Sequence, residues 1–153
     1  MEGRAVTLEI LGTNETEIAY IAGFFDGEGC VRIAPKTSKA TGAYGLYVSA
    51  SNFYPNPLYL CQRIFGGKIR YNKSPGNRNG IHRWELYGKR AELFLRVVEP
   101  QLIIKKQEAN LAISSRSLTG TSSPLKEKLA QQIASLKSRN QLINPDEQNG
   151  NQR

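Results

Sequence analysis

The sequence predicts an α+β fold, a four-stranded antiparallel sheet with helices on one face and further helices at the C-terminal end. Three observations carry that expectation. Four short stretches alternate apolar and polar residues, the period of a half-buried strand. Glycine- and proline-rich breaks separate them from stretches whose apolar residues recur every three or four positions. The two kinds of stretch follow one another as α-β-β-α-β-β-α, an order that layers helices on one side of an antiparallel sheet.

Taken in order, residues 1–12 form a weakly patterned leader. Thr13 to Asp26 reads as a helix, because Ile18, Ile21, Ala22 and Phe25 recur at helical spacing and Asn14 with Glu17 makes a capping pair. Gly27 and Gly29 end it, leaving Glu28 just beyond. Cys30 to Lys36 and Tyr44 to Asn52 alternate as strands, with a polar loop between them. Pro55 and Pro57 break the chain, and Leu58 to Phe65 is a short helix closed by Gly66 and Gly67. Lys68 to Lys73 and Ile81 to Tyr87 are the third and fourth strands, joined by a turn rich in Pro, Gly and Asn. Helices follow over Lys89 to Glu99 and from Gln101 to about Leu118. A linker ends in Ser122, Ser123 and Pro124, a capping residue before a proline at the first helical position. The last helix carries Leu125, Leu129, Ile133, Leu136 and Leu142. One domain over 1–143 is expected, with a polar, unstructured tail over 144–153.

Composition narrows the function. The 153 residues carry a formal net charge of +8, which favours a polyanionic partner, nucleic acid before membrane. There is no apolar run long enough to span a bilayer, and the first dozen residues lack the pattern of a secretory signal. Cys30 and Cys61 belong to no CxxC pair and His82 is the one histidine, so zinc fingers and a Cys/His metal cage are not expected. Two lone cysteines fit an intracellular, reducing setting. No phosphate-binding loop, Ser/His/Asp order or dinucleotide glycine pattern is present, so no organic cofactor is expected.

The sheet has one face to spare. Strand alternation puts Arg32, Lys36, Tyr47, Ser49, Ser51, Arg70, Asn72, Arg83 and Glu85 opposite the core. An ordinary solvated sheet face has the same look. The other reading is a surface for double-stranded DNA, since Arg pairs bidentately with guanine, Asn with adenine, and Ser and Tyr adapt to bases or phosphates. His82 alternates with Trp84 and Leu86 and belongs to the core side or its edge.

The run Tyr20-Ile21-Ala22-Gly23-Phe24-Phe25-Asp26-Gly27-Glu28-Gly29 resembles the defining motif of the LAGLIDADG homing endonucleases. Its surroundings agree: Ile64 to Ile69 resembles the family's turn from second helix to third strand, Trp84 to Ala91 its fourth strand and next helix, and Pro100 to Leu111 the segment bearing its catalytic lysine. The resemblance covers roughly residues 16–118 and implies the αββαββα homing-endonuclease fold. Helical spacing puts Ala19 and Gly23 on one face, with Ala22 alongside, so two backbones can approach closely there. A single motif per chain implies a homodimer pairing these helices over a near-palindromic DNA site.

A carboxylate at a helix C-terminus is unfavourable without a cation, and magnesium takes hard oxygen ligands. The resemblance makes Glu28, where the family more often has Asp, and the carbonyl of Gly27 the metal ligands. It further implies Lys105 as the lysine near the scissile phosphate and Asn52 as the polar residue that positions water. The stretch Phe53 to Pro57 lacks the basic residue the family often has there. Mg2+ is the implied cofactor, with Mn2+ as a substitute and Ca2+ supporting binding alone. The implied activity is site-specific double-strand cleavage that promotes intron homing; the alternative is an intron maturase or DNA-binding protein of the same fold that does not cut.

Overall fold

A computed structural model of the chain describes residues 2–35, 44–73, 79–118 and 123–142. Its elements are α1 (Glu2–Ile10), α2 (Glu15–Glu28), β1 (Gly29–Pro35), β2 (Tyr44–Asn52), α3 (Asn56–Phe65), β3 (Lys68–Asn72), β4 (Ile81–Tyr87), α4 (Gly88–Val98), a 3-10 turn (Glu99–Gln101), α5 (Lys106–Arg116) and α6 (Ser123–Leu142). The four strands form one antiparallel sheet in the order β1-β2-β4-β3. The expected tail and Lys36 lie outside the described residues. No described helix is long and apolar enough to cross a membrane.

The core lies between one sheet face and the helices. Val31, Ile33, Leu46, Val48, Ala50, Trp84 and Leu86 are its strand residues, all buried, and they are the members of the alternation that predicted them. Phe94 of α4 is the aromatic hub: Phe25, Phe65 and Trp84 each meet its ring edge-on, at 4.9, 5.0 and 5.1 Å between centroids. Trp84 donates its indole N–H to the Gly66 carbonyl at 2.8 Å. Next to it Gly67 has φ +94, and a Cβ there would lie 2.5 Å from the Glu85 carbonyl oxygen. The turn into β3 therefore requires glycine at that position.

Three expectations are corrected. The leader is a helix, α1, tied down by Arg4, which makes two hydrogen bonds to Glu15 (2.6 and 2.9 Å) and one to the Val97 carbonyl (2.9 Å); so short a helix has too few periodic positions to read from sequence. Helix α2 begins where predicted, with Asn14 accepting from the Glu17 N–H at 3.0 Å. It does not stop at Asp26, but continues through Gly27 to Glu28, with Gly29 as its cap donating to the Phe25 carbonyl. The expected helix from Gln101 to Leu118 is instead a 3-10 turn, a non-helical stretch and α5. There the Asp26 carboxylate takes the N–H groups of Ile103 (2.7 Å) and Lys105 (3.0 Å), a tertiary partner winning over the local helical pattern.

Helix α6 packs along the edge strand β1. Ile133 inserts its side chain into the core, while Lys137 Nζ donates to the Val31 carbonyl at 2.5 Å and lies 3.3 Å from Cys30 Sγ. The lysine thus satisfies a carbonyl on the free edge of the sheet.

Candidate active site and nucleic-acid interface

The end of α2 is where the candidate catalytic residues gather. An α-helix leaves its last carbonyls without intrahelical donors. Here the Phe25 carbonyl is met by the Gly29 N–H, and the Asp26 carbonyl accepts from Lys105 Nζ at 2.5 Å. Gly27 and Glu28 are both exposed, and the Glu28 carboxylate has no hydrogen bond or ion pair among the described residues. Asp26 has the opposite fate. It is buried, at 8% exposure, and its two oxygens are spent on backbone N–H groups. Asp26 thus anchors the loop that carries Lys105, and Glu28 alone offers a free carboxylate.

Asn52 ends β2 at the sheet end where β1 begins, since Gly29 pairs with Ala50. Its Oδ1 accepts from the Tyr54 N–H at 2.9 Å, the turn geometry that its side chain favours. That leaves its amide Nδ2 as the group for other work. His82 contacts the Phe53 carbonyl (3.2 Å) and the Tyr71 ring, at the edge of the core side as expected.

Among the described residues, no three His, Cys, Asp or Glu side chains gather closely enough to hold a metal ion. Among the described residues, what the end of α2 offers is one free carboxylate, Glu28, next to Gly27 and its carbonyl. These are hard oxygen donors of the type magnesium takes, with water and phosphate completing its shell. The donor chemistry of the residues present therefore fits a hard divalent cation.

Sequence reasoning missed a buried acid behind this site. Glu108 of α5 is 3% exposed, and its Oε2 has no hydrogen-bond partner among the described residues. Burial pushes its carboxyl above the usual range; Lys137 and Lys105 pull it back, and Asp26 adds to the rise. Glu108 falls on the third helical position after Lys105, where a capping acid would normally reach back. Asp26 has already taken the Lys105 N–H, so that role is filled.

The sheet face opposite the core is polar, as predicted, but its residues are not equivalent. Arg32, Arg70 and Asn72 are exposed, and Tyr47, Ser51 and Arg83 are half-buried. Ser49 and Glu85 are buried, at 3% and 8% exposure, which corrects their reading as open DNA contacts. Glu85 sits beneath its neighbours: it accepts from Tyr47 Oη and from Arg70 Nε, each at 3.0 Å, with Arg83 Nε at 3.3 Å and Tyr87 Oη at 3.4 Å. Ser49 Oγ accepts from Arg83 Nη2 at 3.3 Å. Lys68 and Tyr87, not singled out from sequence, share this face because they keep step with Arg70 and with Glu85. Tyr87 packs its ring 4.9 Å from that of Tyr47; burial, then the Glu85 carboxylate, pushes its phenol up.

On α2, Ala19, Tyr20, Gly23 and Gly27 are exposed along the helix. Ala22 is not: it is fully buried in the protomer's own core, which corrects its assignment to a face open to a second chain. A Cβ on Gly23 or Gly27 would meet nothing within 4 Å. Beside the helix end, Ile103 and Ile104 are 87% and 56% exposed, an apolar pair that sequence reasoning placed inside a helix.

No family model matches the chain, and no curated relative matches it by sequence. Solved structures do. The homing endonuclease I-CvuI, in complex with the I-CreI target and 2 mM Mg with the DNA not cleaved, matches with TM-score 0.64 at 18% identity, over 80% of this chain and 82% of that one. The archaeal intron-encoded homing endonuclease I-Vdi141I, complexed with DNA, matches with TM-score 0.64 at 19% identity, over 80% and 84%. The LAGLIDADG meganuclease I-AabMI, bound to uncleaved DNA, matches with TM-score 0.55 at 18% identity, over 78% of this chain but 43% of its own.

Proposed function

We propose that this chain, which has the fold of the LAGLIDADG homing endonucleases, is a site-specific DNA endonuclease that works as a homodimer and needs a divalent metal ion. The observation that carries the reading is the end of α2, where Glu28 has a free carboxylate beside the Gly27 carbonyl while the Lys105 ammonium is tied one carbonyl away. The basic sheet face supplies the DNA contact, and its affinity is expected to fall steeply with salt.

Each residue has a task in this reading. Glu28 and the Gly27 carbonyl hold Mg2+, with Mn2+ as a substitute and Ca2+ supporting binding alone. When bound, the metal lowers the cost of making a hydroxide and of charging the leaving oxygen. Lys105 holds a proton at Nζ and stabilises negative charge on the scissile phosphate. Asn52 donates from Nδ2 to orient water. Asp26 fixes the 102–105 segment, so that Lys105 faces the helix end in one geometry.

Homodimerisation is supported by the chemistry of α2. Glycine in a helix costs about 1 kcal/mol relative to alanine, and the protomer has room for a side chain at Gly23 and Gly27. Close approach by a second α2 against Ala19, Gly23 and Gly27 gives those glycines a reason and brings a second Glu28 near. The exposed Ile103 and Ile104 flank that face. I-AabMI, more than twice as long as the part it shares with this chain, is consistent with two such units per active assembly. A near-palindromic target and a role in intron homing follow from this reading.

The test is cleavage of a randomised near-palindromic DNA library in Mg2+ and in Ca2+, comparing wild type with Glu28→Gln. Cutting in Mg2+ by wild type alone, with DNA binding retained by the variant, is the expected result. Cutting by Glu28→Gln at the wild-type rate removes Glu28 from the site. Binding without cutting by wild type moves the chain to the splicing-factor or DNA-binding reading.

A further inference from the structure

We propose that Glu85 divides the two arginines beside it, Arg70 and Arg83, between two jobs: Arg70 reads a guanine in the DNA, and Arg83 braces the surface that holds it. The inference rests on the DNA-binding reading above and adds to it which base is read, by which residue, and what positions that residue.

The two arginines differ in what their nitrogens are doing. Arg83 has two of its three guanidinium nitrogens engaged by its own neighbours, and only Nη1 is without a partner among the described residues. Its Nε and Nη2 donate to Tyr47 Oη at 3.1 and 2.7 Å, and Nη2 also reaches Ser49 Oγ at 3.3 Å. Its Cζ lies 5.7 Å from the centre of the Tyr47 ring. Arg70 makes one hydrogen bond, from Nε to Glu85 Oε2 at 3.0 Å, and its side chain is 61% exposed. Both of its terminal amino groups are without a partner among the described residues.

Glu85 causes this difference. Its carboxylate is nearly removed from solvent, at 8% exposure, and Oε1 is saturated by Tyr47 Oη and the Arg83 Nε. Oε2 takes the Arg70 Nε through a charge-assisted bond, with Tyr87 Oη a longer second donor at 3.4 Å. Because that bond is made at Nε, the Nη1/Nη2 end of the guanidinium is the fork that remains, and its planar geometry leaves it little freedom. Two donors at that spacing match the two major-groove acceptors of guanine, N7 and O6. Adenine offers one acceptor and one donor there, and an arginine has no acceptor to meet the donor. Glu85 itself, with both oxygens engaged, is no reader of cytosine. It is a positioning residue, and the fixed fork lowers the ordering cost of recognition.

The experiment is selection of bound sequences from a randomised duplex DNA library by the full chain in Ca2+. Wild type, Arg70→Ala, Arg83→Ala and Glu85→Gln are compared, each first shown to be folded by its melting curve. Wild type is expected to prefer guanine at one position in each half-site, by about tenfold to a hundredfold. Arg70→Ala erases the preference at that position and leaves the others. Glu85→Gln, an isosteric change, weakens the same preference severalfold while binding to unrelated duplex holds or rises, since a negative charge has left the face. A purely structural role for Glu85 would instead lower all binding together. Arg70→Ala with every preference intact, Arg83→Ala alone erasing the guanine, or Glu85→Gln leaving the guanine preference unchanged overturns the proposal. Wild type that binds no DNA at all removes the DNA-binding reading beneath it, and the proposal with it.

Discussion

At the scale of the residue, Asp26 and Glu28 separate two roles that their shared chemistry conceals. Both are acids at the end of one helix. Asp26 turns into the protein and serves two backbone N–H groups, while Glu28 is exposed and has no partner among the described residues. Asp26→Ala strands both donors and is expected to cost about 2–4 kcal/mol of stability. Chemical denaturation would register that loss; an unchanged midpoint would show that the 102–105 segment does not depend on Asp26. Glu108 carries a pH signature. Its carboxyl is raised in the folded state, so the native chain holds the proton more tightly than the unfolded one. The cost of ionising it is absent below the ordinary carboxylate value and grows as pH rises through the raised one. Glu108→Gln removes the ionisation, and its melting temperature relative to wild type is expected to be more favourable at pH 8 than at pH 4. An equal difference at both pH values would contradict this, despite Lys137, Lys105 and Asp26 facing the same group.

At the scale of the element, periodicity was a good guide wherever an element buried one face. The four strands lie within a residue or two of their predicted bounds, because Val31, Val48, Trp84 and Leu86 each mark the core side of an alternation. Reading failed where a single side chain from elsewhere decided the local structure. Nothing within residues 100–118 says that the helix breaks, since the cause is Asp26, more than 70 residues earlier. Glu28 was singled out through the motif and Lys105 and Asn52 through the resemblance around it, whereas the burial of Ala22, Ser49 and Glu85 was not legible, because alternation gives a side but not a depth. Helix α2 itself invites a test. Gly23→Leu is tolerated by the protomer, which has open space there, so the monomer's melting curve should be little changed. Sedimentation is expected to show a much weaker dimer, and a dimer of unaltered affinity would rule out packing through that face.

At the scale of the whole molecule, the fold places the candidate catalytic residues at the end of α2 and the polar residues on the sheet face opposite the core. The sheet spreads Arg32, Arg70, Asn72 and Arg83 along one side, while α2 ends at the sheet edge where β1 begins. Helix α6 closes the free edge of β1 through Lys137, which keeps the strand from pairing with other chains. Among the described residues, one free carboxylate, that of Glu28, stands at the helix end, and the proposed homodimer would bring in a second across a two-fold axis. The measurement that tests this most directly is mapping of both strand cuts on a DNA recovered from wild-type cleavage in Mg2+. One cut per strand, placed symmetrically about the centre of a near-palindromic site, is the expected result. Nicks on one strand only, or cuts without a centre of symmetry, would contradict it.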